Sequence, residues 1–333
     1  MNYALMMERH PNVRYRESLQ KLARIELEVS LGAIHTPAEL VGWQKVGGLS
    51  LLMIRSEEPL EEEELDVLRH QSALMALFEL KEDTLTPLME GRGYYFPEDM
   101  AAILKYKGKT NETFTDFMVH TALMVSDFKN ASEPLTLIDP MCGRGTALFA
   151  ALRRGHNALG VDVDKKDIQE LDHFVKRYLT FHGCKHQRLE ENCTVPSRKG
   201  VRKITYRVSD TAEHYKAKDV RTLSAVLGDA RDLAYYGVKH AHGIVCDLPY
   251  GVQHGGESRM PLGKLLAQVL PVWRRVLISG GVMALAFNRY TLKREELEGL
   301  VRDAGFSVLA GPLSDCEHWV EQAVMRDVVF AKA

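Results

Sequence analysis

Short apolar segments that each run into an aspartate recur through the second half of the chain, and they constrain its fold more than any other feature. They are LTLIDP (135–140), ALGVDVD (158–164), SAVLGDARDL (224–233) and GIVCDLPYG (243–251). Helical patterns follow three of them, namely TALFAALRRG, DIQELDHFVKRYLTF and KLLAQVLPVWRRVL. Alternating strands and helices predict a doubly wound, mostly parallel sheet. Such sheets bind ligands at the carboxyl ends of their strands, so the aspartates are candidate site residues.

The remainder of this half completes the same pattern. GGVMALAF (280–287) predicts a fifth strand, REELEGLVRDAGF a helix, and the tail from residue 308 an antiparallel pair of strands. Pro271 lies in the middle of a helical pattern, where we expect a kink or a break because proline lacks the N–H that a helix interior needs. The predicted fold is therefore a Rossmann-like α/β domain with a C-terminal antiparallel hairpin.

The front of the chain predicts a separate, small α+β domain over residues 1–105, with the larger domain over 106–333. Apolar residues at helical spacing predict a helix at 15–29, and GLSLLMIR predicts a strand at 48–55. Residues 61–80 begin with an acidic run, as helices often do, and predict a second helix.

The segment KGKTNETFTDFMVHTALMV (107–125) invites a phosphate-loop interpretation that its spacing excludes. That motif requires a glycine five positions before Gly108, where this chain has Ile103. The segment instead predicts the start of a helix with Thr110 or Asn111 as its N-cap.

Composition places the chain among ordinary globular proteins, with 45% hydrophobic and 26% charged residues. No apolar run reaches the ~18 residues of a membrane span, and the first residues lack the apolar core of a signal peptide. Five cysteines without a CxxC pair favour reduced thiols, and we expect a cytoplasmic protein with no membrane partner. Residues 1–105 hold 11 Lys+Arg against 18 Asp+Glu, whereas the remainder is mildly basic and allows an anionic partner.

The turn in LIDPMCGRGT joins a strand to a helix, yet it matches neither GxGxxG nor GxxxxGK[ST]. Gly143 and Gly145 allow the backbone to approach a ligand closely. Asp139, at the mouth of the turn, would repel a diphosphate and attract an amino group. The turn therefore suits an amino-acid tail such as that of S-adenosylmethionine (AdoMet).

Two more strand ends fit the rest of AdoMet. Asp162 ends the second strand and can accept hydrogen bonds from both ribose hydroxyls, with Asp164 as a competing candidate. Asp229 follows the third strand and can accept a hydrogen bond from the adenine amino group, although GDA is also a common strand-to-helix turn.

The fourth strand end, Asp247-Leu248-Pro249-Tyr250, is the candidate site for binding and activating the group that is methylated. A nucleobase amine must become pyramidal before it attacks a methyl group, and a carboxylate and a backbone carbonyl that accept its two N–H bonds favour that geometry. Pro249 has no N–H and holds the Leu248 carbonyl outward, while Tyr250 can stack on the base. A plain Pro-Tyr-Gly turn capped by Asp247 is the competing interpretation.

Together, DPMCGRGT, GVDVD, GDARD and CDLPYG resemble class I AdoMet-dependent methyltransferases over roughly residues 107–333. More narrowly, they resemble the THUMP-related RNA guanine-N2 methyltransferases, which carry a DPxCGxGT turn and a (D/N)(P/L)P(Y/F)G motif. The segment around residues 10–29 is faintly similar to the N-terminal ferredoxin-like part of such enzymes. The front domain is, however, too short for that part plus a THUMP domain.

The resemblance implies roles for residues of this chain. Binding and activation of the target amine would fall to Asp247, Leu248, Pro249 and Tyr250. Binding of AdoMet would fall to Asp139, Pro140, Cys142, Gly143, Gly145, Thr146, Asp162, Asp229 and Ala230. The implied reaction is methylation of an exocyclic amine in RNA, with guanine N2 of tRNA as the expected target.

A basic insert at 182–223 lies between the second helix and the third strand, with ten Lys+Arg against five Asp+Glu from Lys185 to Arg221. A long irregular connection is often functional, and basic residues interleaved with Tyr206 suit a nucleic-acid backbone. A solvated surface hairpin explains the pattern equally well. The candidate RNA-binding residues are Arg198, Lys199, Arg202, Lys203 and Arg207.

Other functions stay open at this stage. The amine could belong to DNA (adenine N6 or cytosine N4) or to a small molecule, and the chain could be a non-catalytic AdoMet-binding or RNA-binding subunit. A nicotinamide dehydrogenase is disfavoured because GxGxxG is missing. His182, Cys184, His186 and Cys193 match no usual zinc spacing, so we expect no metal. His254, just past the motif, is a candidate pocket residue.

Overall fold

The computed structural model describes the chain except for Arg92, Glu98, Lys105, Lys107, Gly108, Ser197 and 251–259, and it describes Arg198 and Lys199 by backbone alone. The strands are β1 (Asn2–Met7), β2 (Ala38–Val46), β3 (Leu49–Ser56), β4 (Leu74–Lys81), β5 (Thr84–Pro87), β6 (Thr136–Asp139), β7 (Asn157–Asp162), β8 (His186–Val195), β9 (Arg198–Val208), β10 (Arg221–Leu227), β11 (Ala241–Asp247), β12 (Leu277–Asn288), β13 (Ser307–Val308), β14 (His318–Glu321) and β15 (Val324–Lys332).

The α-helices are α1 (Val13–Leu31), α2 (Glu62–Arg69), α3 (Asp99–Ala102), α4 (Glu112–Val125), α5 (Thr146–Arg153), α6 (Lys165–Phe181), α7 (Ala212–Lys216), α8 (Leu262–Val276) and α9 (Arg294–Asp303). Short 3-10 helices cover Ala230–Tyr235 and Gly311–Ser314.

The larger sheet has the predicted doubly wound topology, in the order β13-β15-β12-β11-β6-β7-β10-β9-β8, with β14 paired to β15. Strands β12, β11, β6, β7 and β10 are parallel, whereas β15 is antiparallel to β12. The strand order reverses between β6 and β11, which is where sheets of this kind bind their ligands. The predicted C-terminal antiparallel hairpin is confirmed as β14 and β15.

The sheet is covered on both faces. On one side, α4, α5 and α6 bury a core that includes Phe114, Phe117 and Phe149. On the other, α8 and α9 enclose a second core around Trp273 and Phe287. Helix α8 continues through Pro271, so the predicted break there is wrong, whereas the kink that was the alternative stays a prediction. Packing of the strongly amphipathic helix on the sheet outweighs the one backbone hydrogen bond that proline removes.

The front of the chain forms its own antiparallel sheet in the order β2-β3-β1-β4-β5, with α1 and α2 as connections. The β-α-β-β-α-β succession with β1 between β3 and β4 is the ferredoxin-like arrangement. The predicted helix over 61–80 is wrong beyond Arg69, because residues 74–81 form β4 between β1 and β5. Pairing on both edges overrides the helix propensity of LMALFEL.

The front unit packs on the larger one through buried charges. Glu26 of α1 is fully buried, accepts hydrogen bonds from Ser72, and lies 2.7 Å from Nδ1 of His120 on α4. Burial raises the pKa of Glu26 to about 8 and lowers that of His120 well below its usual value. One turn away, Asp116 accepts from Nε and Nη2 of Arg154 at 2.8 and 2.7 Å. The first contact holds α1 against α4, and the second joins α4 to the end of α5, where Arg154 also donates to the carbonyl of His70 in the front unit.

The predicted boundary at residue 105 remains a prediction. Phe96 and Met100 already pack in the core of the larger unit, whereas the sheet of the front unit ends at Pro87. Among the described residues, no helix is both long and apolar enough to cross a membrane.

The basic insert is a structured hairpin rather than an irregular connection. Strands β8 and β9 pair antiparallel, and β9 extends the large sheet by pairing with β10. The insert is therefore a hairpin, and its contact with RNA stays a prediction. The structure also corrects the expectation for Tyr206, which is buried and donates its hydroxyl proton to Asp172 at 2.6 Å instead of facing a partner.

Candidate active site

Four aspartates lie at one edge of the parallel sheet. Asp247, Asp139 and Asp162 end the neighbouring strands β11, β6 and β7, and Asp229 follows β10. Neighbouring strands lie about 4.8 Å apart, so the row spans about 14 Å. That length suits an extended nucleoside with an amino-acid tail. The sequence prediction that these strand ends share one edge is confirmed.

The turn after β6 has the geometry of a ligand cradle. Gly143 and Gly145 adopt positive φ angles of 50° and 89°. A Cβ on Gly143 would meet nothing within 4 Å, whereas one on Gly145 would lie 2.8 Å from Leu171. Gly143 therefore borders open space and Gly145 allows α5 to pack on α6. Pro140 and the buried Cys142 complete the turn, and Thr146 begins α5.

Asp139 is 6% exposed and accepts a hydrogen bond from the backbone of Met141 at 3.1 Å. Burial raises the pKa of Asp139 to about 8, and the negative charges of Asp162 and Asp247 act in the same direction. Three carboxyl groups thus converge, and Arg326 reaches one of them, Asp247, at 3.5 Å. Such a site favours a cationic ligand.

Asp162 ties the second strand end to the turn. Its Oδ2 accepts from the N–H of Gly143 at 2.7 Å, and its Oδ1 accepts from the N–H of Asp164 at 2.8 Å. Burial raises its pKa above the usual value. The competing candidate, Asp164, caps α6 by accepting from the N–H of Lys166 at 2.7 Å. That cap explains Asp164 structurally and leaves Asp162 as the predicted ribose ligand.

Asp229 caps the 3-10 helix after β10, and its carboxylate pairs with Arg231 at 2.7 Å. The hydroxyl of the buried Tyr236 bridges the backbone N–H and carbonyl of Asp229 at 2.8 and 2.9 Å. The backbone carbonyl of Ala230 accepts from Trp273 at 3.1 Å. These hydrogen bonds position the backbone at this end of the site, and the adenine-binding role of Asp229 and Ala230 remains a prediction.

The predicted catalytic motif starts at Asp247. Leu248 is anchored by its buried side chain and by its N–H, which donates to the carbonyl of Ala286 at 2.9 Å. Pro249 is exposed, and Tyr250 turns back so that its hydroxyl donates to Oδ1 of Asp247 at 2.6 Å. Burial and the charge of Asp247 raise the pKa of Tyr250 above its usual value. Gly251 and His254 lie outside the described residues.

Four residues that the sequence did not single out as site residues reach this edge, namely Thr110, Arg326, Arg144 and Tyr106. Thr110, considered only as an N-cap, donates its hydroxyl proton to Oδ2 of Asp247 at 2.6 Å, while Asn111 caps α4. Arg326 of β15 contacts both Asp247 and Tyr250. Arg144, the residue between the two turn glycines, pairs with Asp167 at 2.9 Å and lies over the ring of Tyr106. These contacts join segments far apart in sequence, which a single sequence does not reveal.

The predicted RNA-binding residues lie on strand β9. Arg202 pairs with Glu190 at 2.7 Å, and Lys203 donates to the carbonyl of Tyr236 at 3.1 Å. Arg207 is exposed. The side chains of Arg198 and Lys199 lie outside the described residues. Within the part of the chain that the structure describes, no group of three His, Cys, Asp or Glu side chains is placed to hold a metal ion.

Comparison with known proteins identifies the family. Residues 121–304, just over half of the chain, match the model of the UPF0020 family, described as "RMKL-like, methyltransferase domain". The chain belongs to the UPF0020 family. It is therefore an AdoMet-dependent methyltransferase, as its strand-end residues predicted. No curated protein matches the chain.

Solved structures are similar at low identity. A putative RNA methyltransferase from Pyrococcus horikoshii is 13% identical, with a TM-score of 0.40 over 72% of this chain and 90% of that one. Magnesium protoporphyrin IX methyltransferase from Synechocystis is 11% identical, with a TM-score of 0.41 over 70% and 92%. A TehB-like methyltransferase from Corynebacterium glutamicum is 12% identical, with a TM-score of 0.38 over 66% and 87%. At these TM-scores the likenesses do not bear on the substrate.

The edge of this UPF0020 methyltransferase fits its cofactor. The open space beside Gly143 leaves room for a ligand against the turn. The buried Asp139 carboxyl lies among other carboxyl groups, and an ammonium group would supply the positive charge that balances it. AdoMet brings both an ammonium and a sulfonium, so its charge complements the three converging carboxyl groups.

Proposed function

We propose that this UPF0020 methyltransferase transfers a methyl group to an exocyclic amine of a nucleobase in RNA, with guanine N2 of tRNA as the expected target. The observation that carries the proposal is the position of the Asp247-Leu248-Pro249-Tyr250 motif, on the strand next to the cofactor turn. Asp247 and Asp139 flank the point where the strand order reverses, so an amine held at Asp247 would lie beside the methyl donor.

Each residue of the Asp247-Leu248-Pro249-Tyr250 motif would have a separate role in binding the base. Asp247 would accept one N–H of the amine and the Leu248 carbonyl the other, which makes the nitrogen lone pair available for attack. Tyr250 would stack on the ring, and Pro249 would keep the Leu248 carbonyl turned outward. AdoMet supplies an activated methyl group on its sulfonium. Alignment of the amine with that group would be the protein's main contribution to the rate.

Support for a nucleic-acid substrate comes from the resemblance of the two motifs to RNA guanine-N2 methyltransferases and from the basic hairpin. Arg207 is exposed on β9, and Arg198 and Lys199 belong to the turn end of the same hairpin. Arg202 and Lys203 already have partners within the protein, so we expect them to contribute less to phosphate binding.

The test is methyl transfer from labelled AdoMet to total tRNA, to rRNA, to double-stranded DNA and to free nucleosides. Transfer to an RNA, with an apparent affinity that falls steeply with salt, is the expected result because phosphate contacts release counterions. Transfer to DNA or to free nucleosides alone would overturn the RNA assignment. The variant Asp247→Ala, which should bind AdoMet without transferring methyl, is the matched control.

A further inference from the structure

Arg326 occupies a position that the proposed chemistry does not yet use. It lies in β15, is 5% exposed, and directs its guanidinium at the catalytic motif. Its Nε donates to the hydroxyl of Tyr250 at 2.5 Å, and its Nη2 lies 3.5 Å from Oδ2 of Asp247. One buried cation thus contacts both polar side chains of the motif.

The carboxylate of Asp247 is already hydrogen-bonded on both oxygens. Thr110 donates to Oδ2 and Tyr250 donates to Oδ1, each at 2.6 Å. A target amine that donates to Oδ1 therefore competes with the Tyr250 hydroxyl for that oxygen. If the amine displaces the Tyr250 hydroxyl from Asp247, the hydroxyl needs a second hydrogen-bond partner to stay in place.

Arg326 is the group placed to do so. It donates to the Tyr250 hydroxyl, whereas the hydroxyl donates its own proton to Asp247, so loss of the second bond leaves the first intact. The guanidinium is itself fixed, because its Cζ lies 4.5 Å from the centroid of the Phe114 ring on α4. Its Nη1 is buried without a hydrogen-bond partner among the described residues. An incompletely satisfied, buried arginine is costly to keep, which favours a functional reason for it.

We propose that Arg326 is a positioning residue for base methylation. It holds Tyr250 by its hydroxyl, so that the ring stays against the target base after the amine has taken the Asp247 oxygen that Tyr250 occupies in the free protein. This role rests on the proposed function. In this role β15, the C-terminal antiparallel strand, helps to align the base, although β15 belongs neither to the cofactor turn nor to the motif.

The first test follows the Tyr250 ring without any substrate. 3-Fluorotyrosine is incorporated at position 250 in an Asp247→Ala background, which removes the carboxylate that also holds the Tyr250 hydroxyl, and its fluorine resonance is recorded. In that background we expect one narrow resonance with Arg326 unchanged or with Arg326→Lys, and a shifted or broadened one with Arg326→Gln. An unchanged resonance in Arg326→Gln would show that Arg326 does not hold the ring and would overturn the proposal.

The second test separates binding from turnover, with total tRNA and labelled AdoMet as probes. In Arg326→Gln we expect kcat to fall about 10-fold to 100-fold, the range for losing a hydrogen bond to a charged group, with an unchanged dissociation constant for AdoMet. Arg326→Lys should recover part of the loss. In a Tyr250→Phe background the same substitution should cost much less, because the hydroxyl through which Arg326 acts is gone.

A control variant separates positioning from loss of stability. Arg294→Gln removes another buried arginine, which pairs with Asp327 at 2.9 Å on the same strand. It should lower the melting temperature while leaving kcat per folded molecule unchanged. Equal kcat in Arg326→Gln and the parent would overturn the role of Arg326, whereas no methyl transfer to nucleic acid by the parent would overturn the proposed function and, with it, that role.

Discussion

AdoMet binding should release a proton from Asp139. Burial raises the pKa of this carboxyl to about 8, so the free protein holds a proton there at pH 6.5. The ammonium group of AdoMet favours the ionised carboxylate, and with an α-amino pKa of roughly 7.7–8.0 it stays charged between pH 5.5 and 7. Binding in that range therefore has to expel the carboxyl proton.

The magnitude follows from linkage. Below about pH 8 the ionised fraction of Asp139 falls tenfold per pH unit, so AdoMet affinity should fall by roughly 1.4 kcal/mol per unit. The sign is that affinity rises with pH up to about 8, where the free carboxyl is ionised, and falls above it because the ammonium group of AdoMet then loses its proton. Isothermal titration calorimetry in buffers of different ionisation enthalpy, at pH 6.5, counts the protons directly.

The expected count is close to one proton released per AdoMet bound by the parent protein. Asp139→Asn, which keeps the shape of the side chain but cannot ionise, should release none and show a flat pH dependence. Parent protein that binds AdoMet with no proton release and no pH dependence from 5.5 to 7 would refute the assignment of Asp139 to the ammonium group.

Two further predictions concern the cradle and the interface. Gly143→Ala should weaken AdoMet binding with a stability loss of only about 1 kcal/mol, because its Cβ enters open space at positive φ; Gly145→Ala should lose more, since its Cβ meets Leu171 at 2.8 Å. Melting curves with and without AdoMet separate the two. Asp116→Ala should cost about 3–5 kcal/mol by leaving Arg154 buried and unpaired, measured by urea unfolding. A loss below ~1 kcal/mol would show that this ion pair is not buried in solution.

The sequence predicted the elements that depend on local patterns. The strands that end at Asp139, Asp162 and Asp247 were found because a buried parallel strand followed by an acid and a turn is a local feature. The helix predicted through residue 80 failed because β4 is defined by its partners β1 and β5, not by its own composition. Likewise, whether the basic insert formed a hairpin depended on pairing with β10.

The candidate site divides in the same way. The residues of the cofactor turn and of the Asp247 motif can be recognised from the sequence, because they are consecutive and their order is typical of methyltransferases. Thr110 and Arg326 lie 137 residues before and 79 residues after Asp247 in the chain, and only the sheet brings them together. A lone threonine or arginine has no local pattern that would mark it.

We propose above that Asp247 presents a guanine amine in RNA to the methyl donor. The most direct measurement is mass spectrometry of nucleosides from tRNA methylated by the purified protein, with Asp247→Ala in parallel. We expect N2-methylguanosine as the new nucleoside with the parent protein, and none with the variant, which should still bind AdoMet. A different methylated nucleoside, or equal product from Asp247→Ala, would contradict this role of Asp247.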